Sequence, residues 1–225
     1  MTVLIVLLVV SMFMTFDYIF GRRHAPQGAR VGAAADPLPM PLSVEPVWVG
    51  GYQLPEDRLY HLGHVWVRPL GADTAAVGMD DFARRLVGPA KAMVLPAVGS
   101  RFAAGQPAFR VVSDSGSAKL VTPLTGEVLE VNPRLEAQPS LATDEPYGRG
   151  WLAKIRSRDL ASGMRNLLGG SLARRWTEDA RERLDLNLVA LSGSVLQDGG
   201  EPVADFARHL PADDWQRLVH EFLLN

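Results

Sequence analysis

The stretch Phe109–Val128, FRVVSDSGSAKLVTPLTGEV, decides the fold of this chain. Phe109–Val112 and Lys119–Thr122 are short runs of β-favouring residues, and Ser113–Ser117 between them is rich in turn-forming residues. Gly116 can adopt a positive φ angle, and the neighbouring serines and aspartate can hydrogen-bond the local backbone. The stretch therefore predicts a β-hairpin with a polar apex.

Short apolar runs separated by turn residues continue on both sides of this hairpin. Polar and apolar residues alternate in His64–Arg68, Ala75–Met79 and Gly126–Asn132, as they do in strands with one buried face. Many short strands with frequent turns are typical of an all-β sandwich or barrel, which we place at 52–159. One short helix is predicted at Asp80–Leu86, because its apolar side chains share one face.

Length and composition limit the functions that this chain can have. It has 225 residues, enough for one or two domains with a hydrophobic core. Its formal net charge of −2 argues against a broad nucleic-acid-binding surface. Because it contains no cysteine, disulfides, thiolate metal sites and cysteine nucleophiles are excluded.

The N-terminal residues 1–20, MTVLIVLLVVSMFMTFDYIF, are almost wholly apolar and carry a single charge, Asp17. Twenty helical residues extend about 30 Å, roughly the hydrocarbon thickness of a bilayer. Arg22 and Arg23 follow the apolar run, and no basic side chain precedes it. We therefore predict an uncleaved transmembrane helix at 1–21 and a single-pass membrane protein whose soluble part faces the cytoplasm. A secretory signal peptide and a buried helix are the alternatives.

The next segment, 22–51, is rich in proline, glycine and alanine and poor in large side chains. Such a composition predicts a linker between the membrane helix and the β-domain. A linker of this kind lets the soluble domain stand away from the bilayer.

Several motifs in the β-region resemble those of one known family, the glycine cleavage system H protein. They occur in the family's order and extend over about 60–159, so that together they are far more specific than any one alone. They are Tyr60–Arg68, Val77–Ala83, Leu86–Gly88, Val94–Gly99, Pro123–Val128 with Val131 and Asn132, and Asp144–Leu152, the last with one inserted residue.

This resemblance implies both a fold and a chemistry. The implied fold is mainly β, a barrel-sandwich hybrid of the lipoyl/biotinyl type. The present chain is predicted to add one N-terminal transmembrane helix and an α-rich C-terminal extension at 160–225. In the family, a lipoylated lysine on a hairpin carries its group between the decarboxylase, the aminomethyltransferase and the dihydrolipoyl dehydrogenase.

The hairpin departs from the family pattern at its apex. The family's lysine stands eight residues before the proline of the next motif, with a glutamate three residues before the lysine. Counting back from Pro123 gives Ser115 at the lysine position and Val112 at the glutamate position. Lys119 is the nearest amine, but four residues of extended strand place it about 13 Å away, in the returning strand. We therefore predict no cofactor, with a lipoyl group on Lys119 as the alternative.

Other polar residues give no catalytic constellation, and we predict that the chain is not an enzyme. His61 and His64 are three residues apart in a strand-like segment, which points them to opposite faces and argues against a shared metal ion. His209 and His220 have no clustered ligands around them. Asp213 and its neighbour Asp214 suit the first turn of a helix better than acid–base catalysis. No metal site is predicted.

The C-terminal extension reads as mostly helical. Apolar residues recur every four positions in Ser171–Leu186, and those of Trp215–Leu223 follow a strong helical stripe. Leu188–Val195 between them is predicted as a strand or an irregular buried run. The apolar faces pack either on the chain's own β-domain or on a partner subunit.

Two functions follow from these observations. The first is a membrane-anchored, non-lipoylated H-protein-like scaffold or accessory subunit of a membrane-associated complex, such as a redox complex. It contacts the bilayer through residues 1–20, binds protein partners and binds no nucleic acid. The second is a lipoyl carrier of the glycine cleavage system with a shifted acceptor at Lys119.

Overall fold

The computed structural model describes residues 47–192 and 210–224, and within these ranges the chain is rich in antiparallel β-structure. Its short strands alternate with turns, as the sequence pattern predicts. In chain order they are β1 (Trp48–Val49), β2 (Tyr52–Gln53), β3 (Leu59–His61), β4 (Val65–Pro69), β5 (Thr74–Met79), β6 (Ala92–Val94), β7 (Arg101–Phe102), β8 (Pro107–Ser113), β9 (Gly116–Val121), β10 (Gly126–Val131) and β11 (Ala153–Arg156).

The strands form two main sheets and one small pair. The larger sheet has the order β3-β4-β5-β11-β10-β7, the smaller one has the order β6-β8-β9, and β1 pairs with β2. Every pair is antiparallel. The prediction of a mainly β, sheet-rich fold is confirmed.

The core lies where side chains of both main sheets meet. Because side chains alternate along a strand, each sheet contributes one apolar face. Burial of these side chains stabilises the fold by roughly 25 cal/mol per Å² of apolar surface removed from water. Fully buried members from the two sheets include Val65, Val67, Val77, Val111, Ala118 and Leu120.

Six helices occur in the described ranges, four of them short. They are α1 (Asp81–Val87), α2 (Arg134–Ala137), α3 (Leu141–Asp144), α4 (Leu160–Met164), α5 (Gly170–Ser192) and α6 (Ala212–Leu223). The predicted helix at Asp80–Leu86 is confirmed as α1. The Asp80 carboxylate caps it by accepting a 2.8 Å hydrogen bond from the Ala83 amide.

The C-terminal extension is helical, as predicted, but α5 is longer than expected. It continues to Ser192. The prediction of a strand or irregular run was therefore wrong for residues 188–192. The cause is helical spacing: Leu184 is buried, while Leu188 and Leu191 pack against the same core. The remainder of the predicted run, 193–195, lies outside the described residues.

Helix α6 buries the apolar stripe that the sequence predicts. Trp215, Leu218, Val219, Phe222 and Leu223 are all buried, and they belong to the same cluster as the β-sheet core. Of the two predicted arrangements, packing on the chain's own β-domain is the one observed for this helix.

The described structure begins inside the range predicted as a linker. Strand β1 falls within 22–51, and it pairs with β2 because Val49 and Tyr52 are both buried. The predicted membrane helix at 1–21 lies outside the described residues. Within 47–192 and 210–224, the helices are too short or too polar to cross a bilayer. The predicted domain boundaries remain predictions.

Candidate functional site

The candidate site is the apex of the β8–β9 hairpin. Ser113 pairs with Gly116, so Asp114 and Ser115 alone form the loop. Gly116 has a φ of +140°, and a Cβ there would lie 2.7 Å from the Trp215 ring. Glycine is therefore required both by the backbone conformation and by the close approach of α6.

Ser115 occupies the turn itself, where it is partly exposed. A serine at this position offers a hydroxyl and no amine, so an amide bond to a carboxylic acid cannot form there. The flanking residue Ser113 is buried, and its hydroxyl has no hydrogen-bond partner. The apex thus keeps the shape of a presenting hairpin without an acceptor amine in the turn.

Lys119 lies within β9 and not at the turn. It pairs directly with Arg110 of β8, and both side chains are exposed. Two cations directly opposite each other on an antiparallel pair repel, typically by a few tenths of a kcal/mol. The structure therefore places Lys119 on the exposed face of the hairpin, in the returning strand.

A second amine reaches the apex from outside the hairpin. Lys91, just before β6, forms an ion pair with the Asp114 carboxylate. Its backbone amide donates a 2.7 Å hydrogen bond to the carbonyl of Val112. The sequence gives no indication of this contact, because no local pattern relates two residues that are 23 positions apart.

Lys154 is the last of the three lysines in the chain. In β11 its ammonium donates to the Glu130 carboxylate at 2.7 Å and lies 5.0 Å from the centre of the Trp151 ring. These contacts hold it on the larger sheet, away from the hairpin of the smaller sheet.

Helix α6 packs along the hairpin, with Trp215 against Gly116 near the apex. The Trp215 indole donates a 2.9 Å hydrogen bond to the carbonyl of Leu86, at the end of α1. At the other end of α6, the carbonyl of Leu223 approaches Gly63, where a Cβ would lie 3.0 Å from it. The helix therefore spans from the apex to the turn between β3 and β4.

The structure brings His64 together with Asp80, a contact that sequence reasoning missed. His64 has a φ of +58°, because it lies in the turn between β3 and β4 and not in a strand. Its Nδ1 is 2.8 Å from Asp80 Oδ2, and its ring stacks between Phe82 and Trp176, at 4.1 and 4.4 Å. His64 is 1% exposed and Asp80 is 2% exposed, so the pair fastens α1 and α5 to the sheet and does not face a substrate.

His61 was predicted to share a strand with His64. This prediction was wrong, because β3 ends at His61 and His64 lies in the turn that follows. Its Nδ1 accepts a 3.0 Å hydrogen bond from the Gly63 amide, so the histidine closes the turn. Within 47–192 and 210–224, no group of three or more acidic, histidine or cysteine side chains could hold a metal ion.

The stability of the fold is expected to fall in mild acid because of His61. Burial, and secondarily the nearby His64, lowers the pKa of His61 below its ordinary value of about 6.5. Below about pH 6.5 the unfolded chain then binds more protons than the folded one. The contribution of neutral His61 to the free energy of unfolding is therefore complete above about pH 6.5, and it is lost as the pH falls through the folded-state pKa. We expect the free energy of unfolding in urea to fall between pH 7.5 and pH 5. This fall should be smaller for His61→Asn than for the unsubstituted protein. An equal difference in both proteins would contradict this assignment.

The motif at Asp144–Leu152 has a structural role. The Tyr147 hydroxyl donates to the carbonyl of Gln53 at 2.8 Å and accepts from the amide of Asp81 at 3.0 Å. Burial raises the pKa of Tyr147 well above its ordinary value, so the hydroxyl keeps its proton for this bridge. Arg58 donates to the carbonyl of the same tyrosine at 2.6 Å.

The two-sheet fold and the hairpin that it presents define a lipoyl-domain-like protein. Residues 58–179 match the family model of the glycine cleavage H-protein, a match that continues past 159 into α5. The chain belongs to the glycine cleavage H-protein family. This membership confirms that the chain is not itself an enzyme.

Several individual proteins are similar to part of this chain. The glycine cleavage system H protein of Mycobacterium avium (strain 104) is 38% identical over 109 residues, which cover 48% of this chain and 83% of the relative. That of Rubrobacter xylanophilus is 39% identical over 104 residues, covering 46% and 82%. A crystal structure of the H protein from Mycobacterium marinum superimposes with a TM-score of 0.47 at 26% identity, over 56% of this chain and 98% of that one.

Proposed function

We propose that this chain is a non-lipoylated H-protein-type binding subunit, which docks with proteins of glycine cleavage type through its β-domain. The observation that carries the proposal is Ser115 at the apex of an otherwise complete hairpin. A carrier needs an amine where the turn projects from the domain. The hairpin, by contrast, is a sound binding element without one.

The packing around the hairpin supports a retained binding role. Val111, Ala118 and Leu120 fill the core, and Trp215 fits against Gly116. This packing holds the hairpin in a fixed shape, which a binding element requires. The family membership supports partners from the glycine cleavage system, since the relatives bear that name.

The membrane position is part of the same proposal. It rests on the apolar run 1–20 and on the basic residues that follow it. The comparisons lend the membrane-associated scaffold no support of their own. Separation of membrane and soluble fractions tests this point, and recovery of the full-length chain in the soluble fraction would overturn it.

A reconstituted glycine cleavage system, driven by an authentic H protein, tests the binding function. Alone, the present chain should support no turnover. In excess, it should lower turnover by occupying the docking surface of the partner enzymes. Turnover without the authentic H protein would make the chain a carrier, and undiminished turnover in its excess would rule out the docking.

The second candidate is a lipoyl carrier with its acceptor at Lys119. The names of the relatives favour this function more than they favour a scaffold, and Lys119 is the one lysine on the hairpin. The amine of Lys119, once deprotonated, would attack the acyl carbon of an activated lipoyl group such as a lipoyl adenylate, and the amide would form as the activating group leaves.

Intact-mass measurement after expression with lipoate and a lipoate ligase separates the two candidates. We expect the mass of the unmodified chain, because the ligase would meet Ser115 in the turn. A gain of one lipoyl group that disappears in Lys119→Arg, but persists in the matched variant Lys154→Arg, would establish the carrier.

A further inference from the structure

A cavity of about 780 Å³ lies at the opposite end of the hairpin from its apex. Its walls are the turn that follows β9, strand β7 and the segment from Arg156 to Leu167. This volume falls within the range of about 300–1,000 Å³ that is usual for small-molecule sites. None of the apex residues 113–116 lines it.

Two arginines in the wall already hold a carboxylate. Arg101 donates to Glu127 Oε2 from its Nη2 at 3.0 Å and from its Nε at 3.2 Å. Arg156 donates to the other oxygen, Oε1, at 3.1 Å. One carboxylate is thus shared by two guanidinium groups, whose remaining N–H donors are left for other acceptors.

A third arginine leaves the cavity with excess positive charge. The Arg158 side chain makes no hydrogen bond or ion pair with the residues in 47–192 and 210–224, whereas Asp159 is engaged in capping α4 through the Ser162 amide at 3.0 Å. The wall therefore carries three guanidinium groups and two carboxylates. His61, also in the wall, has its pKa lowered by burial and adds no charge near neutral pH.

The same cavity has an apolar wall beside the arginines. Leu124 and Leu167 are buried, and Phe102 is half-buried. A cationic group next to such a wall suits a ligand with an anionic head and a short apolar tail. A planar guanidinium fork matches a carboxylate with two parallel hydrogen bonds.

We propose that this cavity binds a small aliphatic carboxylate, with its head on Arg158 and its tail on Phe102, Leu124 and Leu167. The site is separate from the hairpin apex, so a test of this proposal is independent of a test of the proposed function. It is a binding site alone, with no bond made or broken.

Calorimetric titration of the full chain in detergent with hexanoate tests this site, with protein-free detergent as the blank. We expect saturable binding that Arg158→Ala weakens roughly tenfold or more, the loss usual for a charged hydrogen-bonding partner. The matched variant Arg110→Ala, an exposed arginine outside the cavity, should bind as the unsubstituted protein does. Acetate should bind more weakly for lack of a tail, and 1-hexanol for lack of a charge.

Several outcomes would overturn the proposal. These are no hexanoate binding, equal binding by the Arg158→Ala variant, or equal binding of acetate or 1-hexanol. Tighter binding of hexyl phosphate than of hexanoate would indicate that the site prefers a phosphate to a carboxylate, and it would likewise overturn the proposal. Circular dichroism of both variants checks that the fold is unchanged.

Discussion

Replacement of Trp215 by alanine should lower the free energy of unfolding by about 3–5 kcal/mol, a large part of the roughly 5–15 kcal/mol that typical domains possess. The indole is fully buried, and it lies against Gly116 of the hairpin. Its loss leaves a cavity between α6 and the hairpin, and it deprives the Leu86 carbonyl of its indole donor.

Urea unfolding followed by circular dichroism measures this effect. The matched control is Trp48→Ala. This variant removes the same indole group, but from a side chain that is 58% exposed. The control should lower the free energy of unfolding far less than Trp215→Ala does. If both variants lost similar stability, α6 would not hold the hairpin in the way described.

Replacement of Gly150 by alanine should also destabilise the fold strongly. A Cβ at this position would lie 2.8 Å from the carbonyl oxygen of Glu145 and closer still to that of Leu141. Both neighbours are backbone atoms, so the loop can relieve the clash only by moving as a whole. The expected cost is at or above the roughly 1–3 kcal/mol usual for overpacking.

Gly148→Ala is the control for this prediction, in the same loop. There the nearest atom to a Cβ is 3.7 Å away, an ordinary contact. Thermal unfolding of the two variants should therefore separate them by many degrees, with Gly148→Ala near the unsubstituted protein. Equal melting temperatures would show that the loop adjusts freely.

Local patterns were sufficient to predict much of this fold. The alternation in Gly126–Asn132 corresponds to β10, and the turn residues of Ser113–Ser117 place the hairpin apex within this segment. The stripe in Trp215–Leu223 predicts α6, because five large apolar side chains at helical spacing need a common surface to cover them.

Contacts between distant segments could not be predicted in this way. The ion pair of Lys91 with Asp114 joins two surface residues that no local spacing relates. His64 has a positive φ in its turn, and its ring stacks between Phe82 and Trp176, which lie on different helices. A spacing rule for strands therefore misjudged the relation between His61 and His64, since a turn separates them.

The apex itself combines both kinds of information. The sequence predicts both the serine at the apex and the place of Lys119 in the returning strand, but only the structure shows that Lys91, just before β6, reaches Asp114. A family member can thus preserve the hairpin and its supports while it lacks the reactive group in the turn.

Peptide mass spectrometry of the protein purified from its native cell tests most directly whether this family member works without a lipoyl group. The chain has only three lysines, Lys91, Lys119 and Lys154, so every site for a lipoyl amide on a side chain can be observed. We predict that all three are unmodified. A lipoyl group on any of them, above all on Lys119, would contradict the proposed function.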